Sequence, residues 1–159
     1  MSARPIFGDG LSCEAAQRAR VVAEARAWCG AAYHHMARVK PNPGACERGA
    51  TDCAQLLACV YRAAGLVPEL PLEYYPPDWH LHRGLERYLN KVTEHAREIH
   101  VPGPGDLALW RWGRCFAHGA IVTAWPRVVH AMAGIGVLEE DIERNGVFRG
   151  RPRRFFTLW

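Results

Sequence analysis

The chain has 159 residues, of which 49% are hydrophobic and 23% charged, so its length and composition fit one folded domain over residues 1–159 and exclude a disordered polymer. The net charge of +4 is too small to define a nucleic-acid-binding surface by itself. Basic residues cluster only at 149–154, without interleaved aromatic residues. We therefore expect no nucleic-acid partner and interpret this run as a solvent-exposed strand rim.

The N-terminal segment, residues 1–11, has no apolar stretch behind a basic start, and no run in the chain reaches the length of a membrane span. We expect this segment to be flexible or extended. We also expect synthesis in the cytoplasm without a signal peptide and no membrane partner. The six cysteines are then expected to be free thiols.

A first helix is predicted from a cap at Ser12 to about Trp28, because apolar residues from Val21 onward recur at helical spacing. Gly30 ends this helix. The following loop, 40–49, contains two prolines and two glycines, so we expect no regular structure there.

Residues 51–65 predict the central helix. Asp52 is a good N-cap, Gln55 has the spacing to complete a capping box, and Gly65 supplies the stop. One buried face is predicted from residues at helical spacing, namely Cys53, Leu56, Leu57, Val60, Tyr61 and Ala64. Cys53 stands in the first turn, where unpaired N–H groups and the helix dipole favour a thiolate. This position suits a cysteine nucleophile, although a small buried hydrophobe is the alternative.

The second half of the chain changes from helical to strand patterns. An aromatic loop at 67–80 contains Tyr74, Tyr75 and Trp79, which suit either a substrate wall or core packing. A helix from about Leu81 follows. Strands are then predicted at 107–112, 116–123, 127–132, 135–138 and 155–158. Helices first and strands afterwards indicate an α+β domain with an antiparallel sheet packed on the central helix.

Two histidines supply candidate bases for Cys53. His118 and His130 lie in successive predicted strands, and an odd-length loop centred near Ala124 would place them on one sheet face, directly opposite each other. A cysteine at a helix start above a histidine pair fits a nucleophile, a base and an orienting group. Each histidine alone is equally consistent with a structural role.

Several motifs in order give this chain a resemblance to the NlpC/P60 cysteine peptidases. They are Asp52-Cys53 opening an apolar helix, Pro104-Gly105-Asp106-Leu107 opening a strand, His118-Gly119-Ala120-Ile121-Val122, and Val129-His130-Ala131. The segment 28–35 resembles the tryptophan-glycine-tyrosine segment of the branch found with phage tails and gene-transfer agents. The similarity extends from about Val21 to the C-terminus.

The resemblance implies a papain-like fold and hydrolysis of an amide bond in peptidoglycan stem peptides, typically between D-glutamate and a diamino acid. It implies Cys53 as nucleophile, His118 as general base and acid, and His130 as the residue that orients His118. Tyr33 and Asp52 are implied as the oxyanion and substrate-binding residues. No cofactor is implied. The implied partners are the peptidoglycan peptide and other phage-tail proteins, and the implied location is a virion tail or another route of export without a signal peptide.

The chain departs from the family pattern, and two other readings remain open. Ala54 and Gln55 replace the usual serine and glycine, Ala31-Ala32 replaces threonine-proline, and the loop 40–51 is long and carries Cys46. A metal site is disfavoured because the histidines and cysteines lack the usual ligand spacings. The alternative function is a phage tail-tip structural or assembly protein with weak or latent hydrolase activity.

Overall fold

The computed structural model describes residues 9–71, 73–82 and 85–159. Within these ranges the helices are α1 (Asp9–Arg26), α2 (Cys53–Ala63), α3 (Trp79–His82) and α4 (Arg87–Thr93), with a 3-10 turn at Pro43–Ala45. The strands are β1 (Ala32–Tyr33), β2 (Arg38–Val39), β3 (Ala50–Thr51), β4 (Arg97–Ile99), β5 (Leu107–Trp112), β6 (Cys115–Ala124), β7 (Arg127–Met132), β8 (Gly136–Asp141) and β9 (Arg153–Thr157).

Strands β4 to β9 form one antiparallel sheet in the order β4-β9-β5-β6-β7-β8. Helix α2 packs against β6 and β7, and α1 packs against α2. Leu109 and Ile121 belong to the core that includes α2, whereas Trp110 and Val122 belong to a second buried cluster. Burial on both faces explains why these strands read as nearly continuous apolar runs. The predicted α+β fold, with the central helix on an antiparallel sheet, is confirmed.

The start of α2 is fixed by Asp52. Its carboxylate accepts hydrogen bonds from the Ala54 and Gln55 backbone N–H groups at 3.1 and 2.9 Å, so the predicted N-cap is confirmed. The predicted capping box is absent. The Gln55 side chain instead accepts from Arg38 and donates to the Tyr75 hydroxyl at 3.3 Å, because these neighbours offer it tertiary partners.

The predicted buried face of α2 is confirmed for the residues after Cys53. Leu56 and Val60 are fully buried, and Tyr61 is 3% exposed. At the other end, Gly65 has a φ of +77°, and the Leu66 N–H closes the helix by donating to the Tyr61 carbonyl at 3.0 Å. Helix α2 is therefore closed at its C-terminal end and packed on the sheet along its buried face, and this packing fixes the position of Cys53.

A small sheet in the order β1-β3-β2 leads the chain into α2. It is anchored to β8 by two backbone hydrogen bonds of 2.9 Å, from Gly30 N–H to Val137 and from Val137 N–H to Ala31. A side chain at Gly136 would collide with the Ala31 carbonyl, so this close approach requires glycine. The loop 40–49, which was predicted to have no regular structure, contains the 3-10 turn at Pro43–Ala45. Strands β2 and β3 flank this loop.

The turn before β5 is tied to α1 by a partly buried ion pair. Asp106 is 2% exposed and accepts from Arg18 at 2.9 Å and from the Gly103 N–H at 2.7 Å. The Tyr61 hydroxyl donates to the Gly105 carbonyl at 2.8 Å. The Pro-Gly-Asp motif of the sequence therefore joins α1, α2 and the sheet.

Several predicted bounds differ from the observed ones. Helix α1 begins at Asp9 rather than after Ser12, so residues 9–11 are helical, while residues 1–8 lie outside the described residues. The helix predicted from Leu81 is two helices, α3 and α4. Strand β8 runs on to Asp141, three residues beyond the predicted end. Among the described helices none is long and apolar enough to cross a membrane.

Candidate active site

Cys53 is the first residue of α2, and its thiol lies against the strand that carries His118. The Cys53 Sγ donates to the carbonyl oxygen of Ala117, the residue before His118, at 3.6 Å. The backbone N–H of Gly119, the residue after His118, also hydrogen-bonds to the sulfur. Cys53 and His118 line the same cleft. The fold thus brings together the two residues that the sequence singled out first.

The Cys53 thiol is the stable form in the resting protein. Burial, with a further contribution from the Asp52 carboxylate, raises the pKa of Cys53 to about 12. The N–H groups of Gly119, Cys53 and Ala54 lower this pKa but do not offset burial. The N–H groups at the helix start therefore act in the expected direction, but burial outweighs them, so the thiol and not the expected thiolate is favoured.

The two histidines meet on one face of the sheet, as predicted. The His118 Nε2 and His130 Nδ1 atoms are 2.9 Å apart, and the ring centroids are 5.2 Å apart. They are not directly opposite each other. Ala120 is the partner of His130, two positions from the prediction, because the turn lies at 125–126 rather than around Ala124 and an irregularity between Val122 and Ala124 shifts the register by one residue. A shift of two keeps both side chains on the same face.

A third polar residue, Glu140 on β8, contacts the other ring nitrogen of His130. The His130 Nε2 and Glu140 Oε1 atoms are 2.8 Å apart, and the Asn145 side chain donates to the same oxygen at 2.9 Å. His130 is fully buried. The sequence analysis missed Glu140 because it ended the strand at Leu138; an acidic residue continuing the alternation of β8 was the available signal.

Aromatic rings enclose the histidine pair. The centroids of Trp112 and Phe148 lie 5.3 and 5.2 Å from that of His118, and Phe148 also contacts His130 at 5.4 Å. Burial, with smaller contributions from His130 and the Arg151 charge, places the pKa of His118 well below its ordinary value. Burial also lowers the pKa of His130, although the contact with Glu140 opposes this. Both imidazoles are therefore neutral at pH 7.

Asp52 is engaged by the chain itself. Besides the two α2 N–H groups, its carboxylate accepts from the Met36 N–H and the Tyr75 hydroxyl, each at 2.7 Å, and His35 Nδ1 lies 3.5 Å away. Asp52 is only 2% exposed. Asp52 therefore joins the start of α2 to the β1–β2 segment and the aromatic loop.

Tyr33 lies in β1 and lines the cleft together with Cys53. Burial, followed by the charges of Cys53 and Asp52, raises the pKa of Tyr33, so its hydroxyl stays a proton donor at neutral pH. Tyr88 on α4 was not predicted as a site residue. Its hydroxyl donates to the Cys53 carbonyl at 3.2 Å, a tertiary contact for which the sequence carries no local signal.

The cleft around Cys53 has a volume of about 810 Å³. Tyr75 and Trp79 of the aromatic loop form part of its wall together with Trp112 of β5, whereas Tyr74 is 70% exposed and lies outside it. The residues at the site are suited to acyl transfer, because a thiol, a neutral imidazole and backbone N–H groups converge there. In the described part of the chain, no group of three His, Cys, Asp or Glu side chains is arranged to hold a metal.

Comparison with protein-family models gives no match, and comparison with curated proteins gives none either. Among solved structures, the chain is similar to NlpC1 from Trichomonas vaginalis, with a TM-score of 0.60 and 15% identity over 98% of this chain and 46% of that one. It is also similar to the peptidoglycan hydrolase RipB from Mycobacterium tuberculosis, with a TM-score of 0.59 and 13% identity over 99% and 73% of the two chains. For the NlpC/P60 domain of the peptidoglycan hydrolase SagA the TM-score is 0.55, with 18% identity over 86% and 96%.

These likenesses establish the fold: the chain has the papain-like α+β fold of NlpC/P60 domains. The chain spans 46% and 45% of the two structures from Trichomonas vaginalis, NlpC1 and NlpC2. The resemblance to the phage-tail branch, and the role of each site residue, stay predictions.

Proposed function

We propose that this protein is a cysteine peptidase that hydrolyses an amide bond in the stem peptides of peptidoglycan, between D-glutamate and a diamino acid. The observation that carries the proposal is the position of the Cys53 thiol at the start of α2, against the backbone on both sides of His118, whose ring is bonded to His130. A nucleophile, a base and an orienting group are the parts that thiol-dependent acyl transfer requires.

In the proposed reaction, His118 takes the proton from the Cys53 thiol as the sulfur attacks the amide carbonyl carbon. The C–S bond forms, and the carbonyl oxygen becomes an oxyanion held by the Cys53 N–H and the Tyr33 hydroxyl. His118 then gives its proton to the leaving amine as the C–N bond breaks. Water, deprotonated by His118, hydrolyses the resulting thioester and releases the acid.

The resting pair is neutral, so the proton leaves the sulfur as the C–S bond forms and not beforehand. A thiol with a pKa of about 12 and an imidazole with a lowered pKa keep one mobile proton on the sulfur until a carbonyl group is present. The amide carbonyl carbon of the substrate is the electrophile that the sulfur attacks. Tyr75, Trp79 and Trp112 form an aromatic wall beside the reacting groups.

The substrate class rests on the resemblance and on the fold. RipB and SagA are described as peptidoglycan hydrolases, and the chain covers 73% and 96% of those structures. We extend the proposal to delivery: after synthesis in the cytoplasm the protein acts from a phage tail or a similar particle that penetrates the wall. Mass spectrometry of particles purified on a density gradient tests this, since its absence from every particle fraction would contradict it.

The hydrolase proposal is tested with purified peptidoglycan and its muropeptides, followed by mass spectrometry of the products. The variant is Cys53→Ala, and the matched control is Cys59→Ala, which removes a thiol from the same helix. Fragments cut within the stem peptide by the wild type and by Cys59→Ala, but not by Cys53→Ala, would support the proposal. Identical products from all three proteins, or no cleavage of any muropeptide, would contradict it.

A further inference from the structure

We propose that Glu140 is a positioning residue that sets which nitrogen of His118 and of His130 carries the proton, so that the nitrogen of His118 not bonded to His130 is free to accept a proton from Cys53. The inference rests on the proposed function for its catalytic consequence. Its structural part concerns only the tautomers of two buried imidazoles.

The orientation of Asn145 is the starting point. The Val147 N–H donates to the Asn145 side-chain oxygen at 3.0 Å, and a backbone N–H is a donor only. The amide nitrogen of Asn145 must therefore point the other way, where Glu140 Oε1 lies at 2.9 Å. This oxygen thus serves as an acceptor.

The same oxygen fixes the proton on His130. His130 Nε2 lies 2.8 Å from Glu140 Oε1, and an ionised carboxylate only accepts hydrogen bonds. The Nε2 atom of His130 must then carry the hydrogen. Because burial keeps this imidazole neutral at pH 7, its Nδ1 atom has a lone pair and is an acceptor.

The tautomer of His118 follows. His118 Nε2 lies 2.9 Å from His130 Nδ1, so it must donate to that lone pair. A neutral imidazole has one hydrogen, and the Nδ1 atom of His118 is left as the base. The reverse arrangement, with hydrogens on both Nδ1 atoms, would leave His118 unable to accept the thiol proton.

Glu140 also bears on the charge that forms during the reaction. When His118 becomes positively charged, its Nε2–H still donates to His130, and the negative charge of Glu140 stands at the far end of that contact. Arg151 acts in the opposite sense: its guanidinium lies over the Trp112 ring at 3.9 Å and disfavours the imidazolium. Glu140 opposes that effect.

Two variants separate the orientation of the protons from the charge. Glu140→Gln keeps an oxygen that both Asn145 and His130 can donate to, but removes the charge. Glu140→Ala removes both. Glu143→Gln is the matched control, because this carboxylate lies nearby and contacts Arg153 at 3.6 Å rather than a histidine.

The first readout is nitrogen NMR of the histidine rings without substrate, at a pH where both are neutral. We expect hydrogens on both Nε2 atoms in the wild type, in Glu143→Gln and in Glu140→Gln, and a mixture of tautomers in Glu140→Ala. Wild-type tautomers retained in folded Glu140→Ala would overturn the inference. This readout does not depend on hydrolysis, so it survives a failure of the proposed function.

The second readout is the pH profile of kcat/KM on the cleaved muropeptide. We expect kcat/KM to fall about 10- to 100-fold in Glu140→Ala and less in Glu140→Gln, by analogy with other groups that orient a catalytic imidazole. Loss of the negative charge should also move the acidic limb of both variants to lower pH. A wild-type rate and pH profile in Glu140→Ala would overturn the inference even if Cys53-dependent cleavage is observed.

Discussion

Replacing Asp52 tests how the start of α2 is held in place. In Asp52→Ala the Ala54 and Gln55 N–H groups lose their cap, which costs about 1 kcal/mol. The Met36 N–H and the Tyr75 hydroxyl also lose their acceptor, at about 1–2 kcal/mol each because the site is largely buried. We expect the free energy of unfolding to fall by about 3–5 kcal/mol in total.

Thermal unfolding followed by circular dichroism measures this loss. For a chain of this size, the expected destabilisation corresponds to a decrease in Tm of about 10 °C. Asp141→Ala is the control, since Asp141 accepts from the Glu143 N–H in an exposed turn and should cost well under half as much. A Tm for Asp52→Ala within about 2 °C of that control would refute the reasoning.

Asp52 also affects the ionisation of the Cys53 thiol. The Asp52 charge contributes to the raised pKa of Cys53, so Asp52→Asn should lower that pKa and shift the alkylation of Cys53 by iodoacetamide to lower pH. Peptide mass spectrometry follows Cys53, with the exposed Cys13 as an internal reference. An alkylation profile that is unchanged, or shifted to higher pH, would show that the Asp52 charge does not raise the pKa of Cys53.

Three further predictions concern the packing and titration of the site. Gly119→Ala should abolish Cys53-dependent cleavage and lower Tm, because its methyl group would overlap the Tyr88 hydroxyl held by the nucleophile helix; normal activity would contradict this. Arg18→Met should cost about 3 kcal/mol in urea unfolding, since Asp106 keeps a buried charge without its cation, and a loss below about 1 kcal/mol would count against it. The acidic limb of kcat/KM should lie below the ordinary histidine pKa, because the base His118 is protonated only at lower pH; a limb above pH 7 would contradict the description.

The sequence predicted those elements whose pattern is local. Helix α2 combines a cap, an apolar stripe and a glycine stop within fifteen residues, and β7 was predicted with its observed bounds, Arg127–Met132. The two-residue strands β1, β2 and β3 are too short to show any period. Their positions depend on backbone pairing with distant segments.

The parts of the site that were missed depend on tertiary contacts. The register between the histidines differs from the prediction because the turn lies at 125–126 and β6 has an irregularity between Val122 and Ala124, and neither feature has a sequence signature. The Gln55 side chain accepts from Arg38 instead of completing the capping box. The protonation of Cys53 was mispredicted because burial, which outweighs the helix N-terminus, is a property of the assembled fold. The contact of Glu140 with His130 depends on the pairing of β8 with β7, which the sequence does not show.

The central claim is that Cys53 forms a covalent acyl intermediate, and rapid acid quench during muropeptide turnover tests it most directly. Intact-protein mass spectrometry, followed by peptide mapping, would then identify the modified residue. The account predicts a mass increase equal to the acyl part of the cleaved stem peptide, carried by the peptide that contains Cys53 and absent in Cys53→Ala. Cleavage that continues in Cys53→Ala, or an acyl group carried by another cysteine, would contradict it.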